Sequence, residues 1–449
     1  MSPRKRSGRA VVIGASMGGL FAARVLADRF DSVVLVERDD LEHAIDGRRG
    51  TPQARHAHAL LQVGQIQLEE WFPGFTQELI DGGATVGDPG IDFHWFQGGG
   101  EKAKYSAGGQ WPVVSRPRLE ETVRTRVEKI DNVELRAGTH VEGLTATPDG
   151  QRVTGVVLEG GETIEAALVL DCTGRSGLSI KWIEELGFAA PEVVEVGINM
   201  RYTTRTYKKN PAFQPGWKLA IVIGSPPDPR LGVCFPMEGD RWMVTLCGFH
   251  GDYAPDDEEG FLAYARTLDS PAIAQAIENN EPLTDFVGHR LPSDQRRRVE
   301  KMTTVPAGWA LLGDSVASFN PVYGQGMSSA ALQAESLGTV LDAYAGADAE
   351  LTRRIHKGAA KAVTNAWMLS TGGDFAQTKT TGKRPPGTNA INRYMARLTI
   401  AQQSDVEVAR AFDTVANLMA APTSVMKPRI AWRVLRHGKR ARKPVNTSV

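Results

Sequence analysis

Three observations predict an α/β architecture. The chain begins with an apolar strand, a glycine turn and a helix. Two further apolar strands, far downstream, also stop at glycine-containing loops, and Thr- and Val-rich strands with no helices between them lie before the last of these. Beyond Leu332 the composition turns helical. The first two patterns imply a parallel, Rossmann-like domain that is discontinuous in sequence, with an antiparallel sheet inserted into it. The expected division is 1–81, 113–178 and 288–345 for the nucleotide-binding domain, 82–112 and 179–287 for the sheet domain, and 346–449 for a helical C-terminal region.

At 449 residues the chain is long for one core. Its 52 basic and 52 acidic residues balance, which argues against a whole-surface attraction for nucleic acid. Cys172, Cys234 and Cys247 show neither CxxC nor metal-ligand spacing and read as small buried hydrophobes in a reducing compartment. The basic Ser2–Arg6 segment precedes no signal core, and no apolar run approaches the roughly 18 to 20 residues of a membrane span. A soluble, cytoplasmic protein is expected.

Ala10–Ile13 is a buried strand, Gly14-Ala15-Ser16-Met17-Gly18-Gly19 a turn, Leu20 to Phe30 a helix and Ser32 to Glu37 the next strand. This βαβ unit carries an adenine-dinucleotide fingerprint with Ser16 at the usual second glycine. Gly14 permits the tight turn, the helix N-terminus receives a pyrophosphate, and Glu37 accepts hydrogen bonds from ribose hydroxyls. The plainer alternative is a structural crossover whose acid caps a loop.

The loop from Arg48 to Leu61 is basic and runs into a helix reaching Trp71. Arg48 and Arg55 either reach cofactor phosphates or form a solvated basic surface. His56 and His58 are two apart and on a helix would face different directions, so no metal is expected. From Gly82 to Gln110 glycines interleave with Phe93, His94, Trp95, Phe96 and Tyr105, which suits hairpins with one apolar face or ordinary sheet core.

Val113 to Glu120 leads into a charged helix reaching Lys129, followed by strands near Val133–Arg136, Val153–Leu158 and Thr163–Glu165. Ala167 to Gly177 is a second buried strand closing on Asp171-Cys172-Thr173-Gly174. Strands at Asn199–Tyr207, Lys218–Gly224, Gly232–Pro236 and Arg241–Gly248, then a helix from Glu258 to Leu268, form the inserted sheet domain, a candidate for substrate binding. The last apolar strand, Trp309 to Leu312, stops at Gly313-Asp314, and a loop with Pro321, Gly324 and Gly326 leads to a helix from Ser328. A helix N-terminus carries roughly half a positive charge and unpaired N–H groups, so it suits an anionic or electron-rich ligand.

A glycine, proline and lysine loop at Gly372 to Gly387 interrupts the helical region. The tail from Met426 is basic, through Lys427, Arg429, Arg433, Arg436, Lys439, Arg440, Arg442 and Lys443, with Ile430, Trp432, Val434 and Leu435 interspersed. Its ordinary reading is a solvated terminal helix with a frayed end, and the alternative is contact with a membrane surface.

In this order and spacing, Gly14 to Gly19 with Glu37, Asp171-Cys172-Thr173-Gly174, and Gly313-Asp314 with Pro321 and Gly324-Gln325-Gly326 resemble the flavoprotein monooxygenases of the aromatic-hydroxylase fold. More narrowly, Pro52 to Leu61, Ser115 to Glu120 and Ser318 to Met327 resemble the actinobacterial branch that contains polyether-pathway olefin epoxidases. The resemblance implies a discontinuous FAD domain held by Gly14, Ser16, Met17, Gly18, Gly19, Glu37, Arg38, Arg48, Arg55, His56 and Arg116 on the dinucleotide side. Asp171, Thr173, Gly174, Gly313, Asp314, Pro321, Gly324, Gly326 and Met327 would complete the site. Asp314 would hold the ribityl chain. Pro321, Gly324, Gln325, Gly326 and Met327 would lie against the pyrimidine edge of the flavin, where a helix N-terminus stabilises anionic reduced flavin.

The implied reaction inserts one oxygen atom from O2 through a flavin C4a-hydroperoxide, most directly epoxidising an alkene of a lipophilic polyketide or terpenoid intermediate. The alternatives are hydroxylation of an aromatic or polyketide substrate, with His94, His250 or Tyr202 as a base, and oxidation or reduction without oxygen insertion. A non-enzymatic flavin-binding module is a further alternative. The halogenase reading lacks its Trp-x-Trp-x-Ile-Pro segment. Because Cys172-Thr173 separate Asp171 from Gly174, whereas nicotinamide-using hydroxylases join Asp to Gly, NAD(P)H would act directly or through a separate flavin reductase.

Overall fold

The computed structural model describes residues 3–42, 48, 50–224 and 230–438. Arg49, Lys439, Arg440, Arg442 and Lys443 lie outside the described residues. The chain divides into two compact units: Met1–Thr76, Arg116–Val196 and Ser293–Met368 in one, and Gln77–Ser115, Gly197–Pro292 and Leu369–Val449 in the other.

The first unit is built on a five-stranded parallel sheet in the order Trp309–Leu311, Leu168–Asp171, Arg6–Ile13, Phe30–Val36, Val133–Arg136. Three of these strands come from segments far apart in sequence, and the register places Asp171 beside both Ile13 and Leu311. Ala10, Val11, Val12, Leu170 and Trp309 are completely buried, as expected of a parallel sheet covered on both faces. The helix Met17–Ala27 starts earlier than the composition suggests, immediately after Ser16, and nine of its eleven residues are buried. A separate antiparallel sheet, Thr163–Glu165, Val153–Leu158 and Val141–Ala146, adds a strand that the sequence reading lacked.

In the second unit the strands Arg241–Phe249, Leu231–Met237 and Leu219–Ile223 follow one another antiparallel, with the end of Val193–Lys208 paired antiparallel to Arg241–Phe249. Phe93–Gln97 then joins Leu219–Ile223 in parallel, so the sheet is not wholly antiparallel. The chain between these two strands is long, and no tight turn imposes an antiparallel return. One face packs on helices Glu258–Arg266 and Ala272–Glu278 through Tyr207, Ala220, Cys234, Trp242, Val244 and Leu246. Asp257 starts the first of these helices, its carboxylate accepting the Gly260 N–H at 2.8 Å.

The helix Ala349–Asp374 runs through Gly372 and Gly373, so the loop expected from Gly372 begins later; glycine weakens a helix by only about 1 kcal/mol, little enough for its last turn to persist. The helices Thr388–Ala401, Val406–Ala416 and Pro428–His437 close around Leu398, Ala401, Val408, Val415, Val425 and Val434. Among the described residues, no helix is long and apolar enough to cross a membrane. All three cysteines are buried and free, and burial raises the pKa of each thiol.

The glycines of the first turn are not equivalent. A Cβ on Gly19 would stand 1.8 Å from the Gly14 carbonyl oxygen, whereas one on Gly18 would meet nothing nearer than 3.6 Å. Gly19→Ala should therefore destabilise the protein by about 3 kcal/mol or more in denaturant unfolding. Gly18→Ala should stay within about 1 kcal/mol of wild type.

Candidate functional site

Gly14 turns the chain with φ of 99°, and its N–H donates to the Val36 carbonyl at 2.7 Å. A Cβ there would meet the Cys172 carbonyl oxygen at 2.8 Å, so the turn and the second strand require glycine to approach this closely. Glu37 closes the neighbouring strand and is 4% exposed. Its Oε2 accepts the Ala15 N–H at 2.7 Å, and its Oε1 accepts the Asp39 N–H at 3.0 Å.

Arg48 joins this carboxylate to a second one. One terminal nitrogen lies 2.5 Å from Glu37 Oε2, the other bonds Glu120 Oε1, and Nε reaches Asp39 Oδ2 at 3.3 Å. Burial opposes the charge, but Glu120 and then Glu37 outweigh it and raise the Arg48 pKa above its ordinary value. Burial likewise favours a protonated Glu120, and Arg116 and Arg48 overcome it to hold that pKa below the usual carboxylate range.

Ser16 is part of the same network. Its hydroxyl donates to Glu120 Oε2 at 3.0 Å and accepts from Arg116 Nη2 at 3.0 Å, while that nitrogen also stands 2.7 Å from Glu120 Oε2. The serine that departs from the glycine fingerprint thus fastens the dinucleotide turn to the helix Arg116–Glu128. Arg116 Nη1 is buried and has no hydrogen-bond partner among the described residues.

The second strand ends in another buried knot. Asp171 is completely buried; Oδ1 accepts from Thr173 N at 2.8 Å, Thr173 Oγ1 at 2.6 Å and Ser315 Oγ at 3.2 Å. Oδ2 accepts from Ser179 N and Ser179 Oγ, both at 2.7 Å. The carboxylate is therefore engaged within the chain, and through Ser315 it anchors the Gly313–Ser315 turn, while Ser315 Oγ lies 3.1 Å from the Gly174 carbonyl. Gln333 adds a further bracket by accepting the Gly313 N–H at 2.9 Å.

Asn320 starts the loop that follows, accepting the Val322 N–H at 3.1 Å, and Gly324 ends its single turn in the left-handed conformation. The helix Gly326–Ala343 begins here. Ser329 N–H reaches Gln325 O at 2.8 Å, so the amides of Gly326, Met327 and Ser328 precede the first intrahelical donor. Gln325 is 2% exposed, and its Oε1 has no hydrogen-bond partner among the described residues.

Pro52–Arg55 forms one short turn and His56 to Leu60 is not helical, as expected of the basic loop, and the helix that follows it is Gln62–Trp71. The loop lies along the Gly326 helix start: Leu61 N–H donates to Ser328 Oγ at 3.1 Å, and a Cβ on Gly324 would stand 3.4 Å from Ala59 Cβ. His58 Nδ1 is 2.9 Å from the His56 carbonyl, and burial followed by the Arg116 charge lowers the His58 pKa to about 4, keeping the ring neutral at physiological pH.

The structure thus gathers Gly14, Ser16, Glu37, Arg48 and Arg116 into one cluster, and Asp171, Thr173, Gly174 and Gly313 into another; the two approach where a Cβ on Gly18 would lie 3.6 Å from Gly313 Cα. Met17 and Gly19 occupy the start of the first helix. Arg38 and Arg55 are exposed, and His56 is buried. Sequence reasoning missed Glu120, Asp39, Ser179 and Gln333, which form contacts across up to 130 positions without any motif spacing. A buried arginine nitrogen without a partner beside a glycine turn and a helix start fits the pyrophosphate of FAD. The Gly326 helix start, with Asp314 nearby in sequence, fits its flavin half.

Solvent reaches the Asp314 side chain, yet protein surrounds it closely enough that desolvation raises its pKa from 3.8 to about 6, against the opposing Arg116 and Arg175 charges. The folded chain therefore holds this proton more tightly than the unfolded chain, and its stability falls as pH rises from 3.8 through about 6. Asp314→Asn should raise the melting temperature of the flavin-free protein above that window, and the difference should vanish below it.

A family model described as "FAD binding domain" matches residues 8–368. Protein Rv3254 of Mycobacterium tuberculosis is 31% identical over 395 residues, covering 82% of this chain and 80% of that protein. The FAD-dependent monooxygenase atnJ of an Arthrinium species is 24% identical, covering 74% and 75%. In fold, the chain is similar to the flavin-dependent brominase Bmp2, with a TM-score of 0.69, 14% identity, and coverage of 96% of this chain and 98% of that one. With a match spanning most of its length, this chain belongs to the family of FAD-binding-domain flavoproteins.

Proposed function

We propose that this FAD-dependent monooxygenase epoxidises an alkene of a lipophilic polyketide or terpenoid intermediate. Bound FAD, once reduced by NAD(P)H directly or through a separate reductase, would supply activated oxygen from O2. Arg116 and the turn Gly14–Gly19 would hold its pyrophosphate, Asp314 its ribityl chain, and the amides of Gly326, Met327 and Ser328 its flavin edge. Those amides keep their orientation through the chemistry because the Gly326–Ala343 helix and the Leu61–Ser328 contact fix them. Removing one preorganised donor of this kind could slow the reaction about a hundredfold or more.

The observation that carries the substrate assignment is the character of one sheet face in the second unit. Strand alternation puts Tyr202, Thr204, Met243, Thr245, Cys247, Leu231, Val233 and Phe235 on the face opposite the Glu258 and Ala272 helices. Every one of these side chains is buried by the chain itself, so the face bears on the reading through its dryness and is not an open substrate surface. Three of the eight are polar, and the Thr204 and Thr245 hydroxyls meet each other at 2.7 Å. Burial raises the Tyr202 pKa well above its usual value, so its phenol stays protonated and offers no base. His94 points to the other face, bonded to Ser270 Oγ at 3.0 Å and Glu101 Oε1 at 3.1 Å. Oxygen transfer to an alkene needs no base, but it needs a dry apolar surface to position the double bond. The resemblance of Pro52–Leu61 and Ser318–Met327 to the polyether-epoxidase branch supports the same reading.

Hydroxylation remains the second reading because of His250. Its Nε2 is buried without a hydrogen-bond partner among the described residues, and burial followed by the Lys379 charge lowers its pKa, leaving a neutral imidazole. A neutral imidazole is the form that accepts a phenolic proton. With reduced FAD, isotope-labelled O2, and candidate polyenes and phenols, the expected product is a labelled epoxide formed at a rate that His250→Gln changes less than about threefold. A labelled phenol lost on the order of a hundredfold in His250→Gln would establish hydroxylation, and product without label would overturn oxygen insertion altogether.

A further inference from the structure

We propose that the C-terminal helix Pro428–His437 docks the protein on an anionic lipid surface, lying in the plane of the membrane interface. The helix has an inner and an outer side. Val434 is buried in the core of the terminal helices, and Asp405 holds the inner side from the start of the neighbouring helix, with Arg433 at 2.8 Å and His437 at 3.6 Å. Those contacts keep the helix seated and fix which residues face outward. On the outer side Trp432 is 59% exposed and Leu435 48% exposed, an aromatic and an aliphatic side chain one turn apart, with Met426 at 41% just before the helix. A single exposed hydrophobe is ordinary, but a tryptophan and a leucine three residues apart on one short helix share its outer face, with an exposed methionine two residues before the helix starts.

Charge selects the occupant. Among the described residues Lys427, Arg429, Arg433 and Arg436 bring four cations to this helix; Arg433 pairs with Asp405 at 2.8 Å and Arg429 with Glu407 at 3.1 Å, which leaves Lys427 and Arg436 as the cations beside the apolar side chains, and no acidic residue follows Asp413 in the sequence. The chain as a whole is neutral, so this positive end stands out from the rest of the protein. Arg436 lies over the Trp432 ring, 5.2 Å from its centroid, which brings a cation to the apolar patch itself. Tryptophan and leucine flanked by arginine and lysine match the lipid headgroup region, where the rings sit at the acyl boundary and the cations meet phosphates. Nucleic acid would use the cations but has no place for Leu435 and Met426, and an acidic protein surface offers no counterpart to both at once. Neither single anchor is strong, whereas apolar burial and electrostatic attraction together give stable, reversible attachment. The assignment is independent of which substrate is oxygenated.

Co-sedimentation of the full-length flavoprotein with vesicles tests this. Binding to phosphatidylcholine vesicles containing phosphatidylglycerol should exceed binding to pure phosphatidylcholine by about tenfold or more, and should fall as salt is raised. Arg436→Gln should weaken it about fivefold, as loss of one interfacial cation implies. Trp432→Ala with Leu435→Ala should weaken it by roughly tenfold or more at unchanged circular dichroism, since both side chains are exposed and outside the core. Equal binding to both vesicle types, absent binding, or wild-type affinity in the double variant would overturn the proposal, as would retention on nucleic acid or on a soluble protein that does not depend on Trp432 and Leu435.

Discussion

The site in the first unit depends on one buried chain of charges, in which Arg48 is held between Glu37 and Glu120. A guanidinium and two carboxylates out of water are expensive unless each is paired, and removing one partner of such a set typically costs about 3–5 kcal/mol. Here each member has more than one contact: Arg48 also reaches Asp39 and the Ala15 carbonyl, Glu37 receives two backbone amides, and Glu120 receives Ser16 and Arg116. The network fastens the dinucleotide turn to two segments that are not its neighbours in sequence. It also gives Ser16 a purpose, because a hydroxyl bonds both Arg116 and Glu120 where glycine would bond neither.

A second constraint works at the other end of the candidate cofactor site. Asp171 meets Ser179, Thr173 and Ser315, so the two apolar strands that end at Asp171 and Leu311 are locked together beyond their backbone pairing. The Gly313 turn and the Gly326 helix start are thereby set before any ligand binds. Preorganisation of this kind matters because a donor that needs no movement during reaction keeps its full electrostatic effect. Among the described residues, Arg116 Nη1 and Gln325 Oε1 are buried without hydrogen-bond partners in this region, and such groups are tolerated where a ligand satisfies them.

The strands and turns of the cofactor half were legible because each is a local pattern. The apolar run Ala10–Ile13, the Gly14 turn and the loop from Gly313 to Gly326 carry their own chemistry within a few residues. Glu120 was not legible as a site residue, since only folding brings it beside Arg48 and Ser16, and the same holds for Gln333 against Gly313. The loop from Arg48 to Leu61 and the helix that follows it to Trp71 were legible in the same way, whereas the packing of Ala59 and Leu61 along the Gly326 helix start was not, because it joins segments far apart in sequence, with 267 positions between Leu61 and Ser328. The parallel pairing of Phe93–Gln97 is invisible for a similar reason: strand direction without a connecting turn is decided by tertiary contacts.

We propose that the Glu120 network leaves Arg116 poised for the pyrophosphate of FAD. Titration of the flavin-free protein with FAD and, separately, with riboflavin, which has no phosphate, tests it most directly when wild type is compared with Arg116→Met. A lost charge-assisted hydrogen bond of roughly 1.5–3 kcal/mol predicts that the variant binds FAD about ten- to a hundredfold more weakly and riboflavin as well as wild type does. Unchanged FAD affinity, or an equal loss for both ligands, would contradict the account.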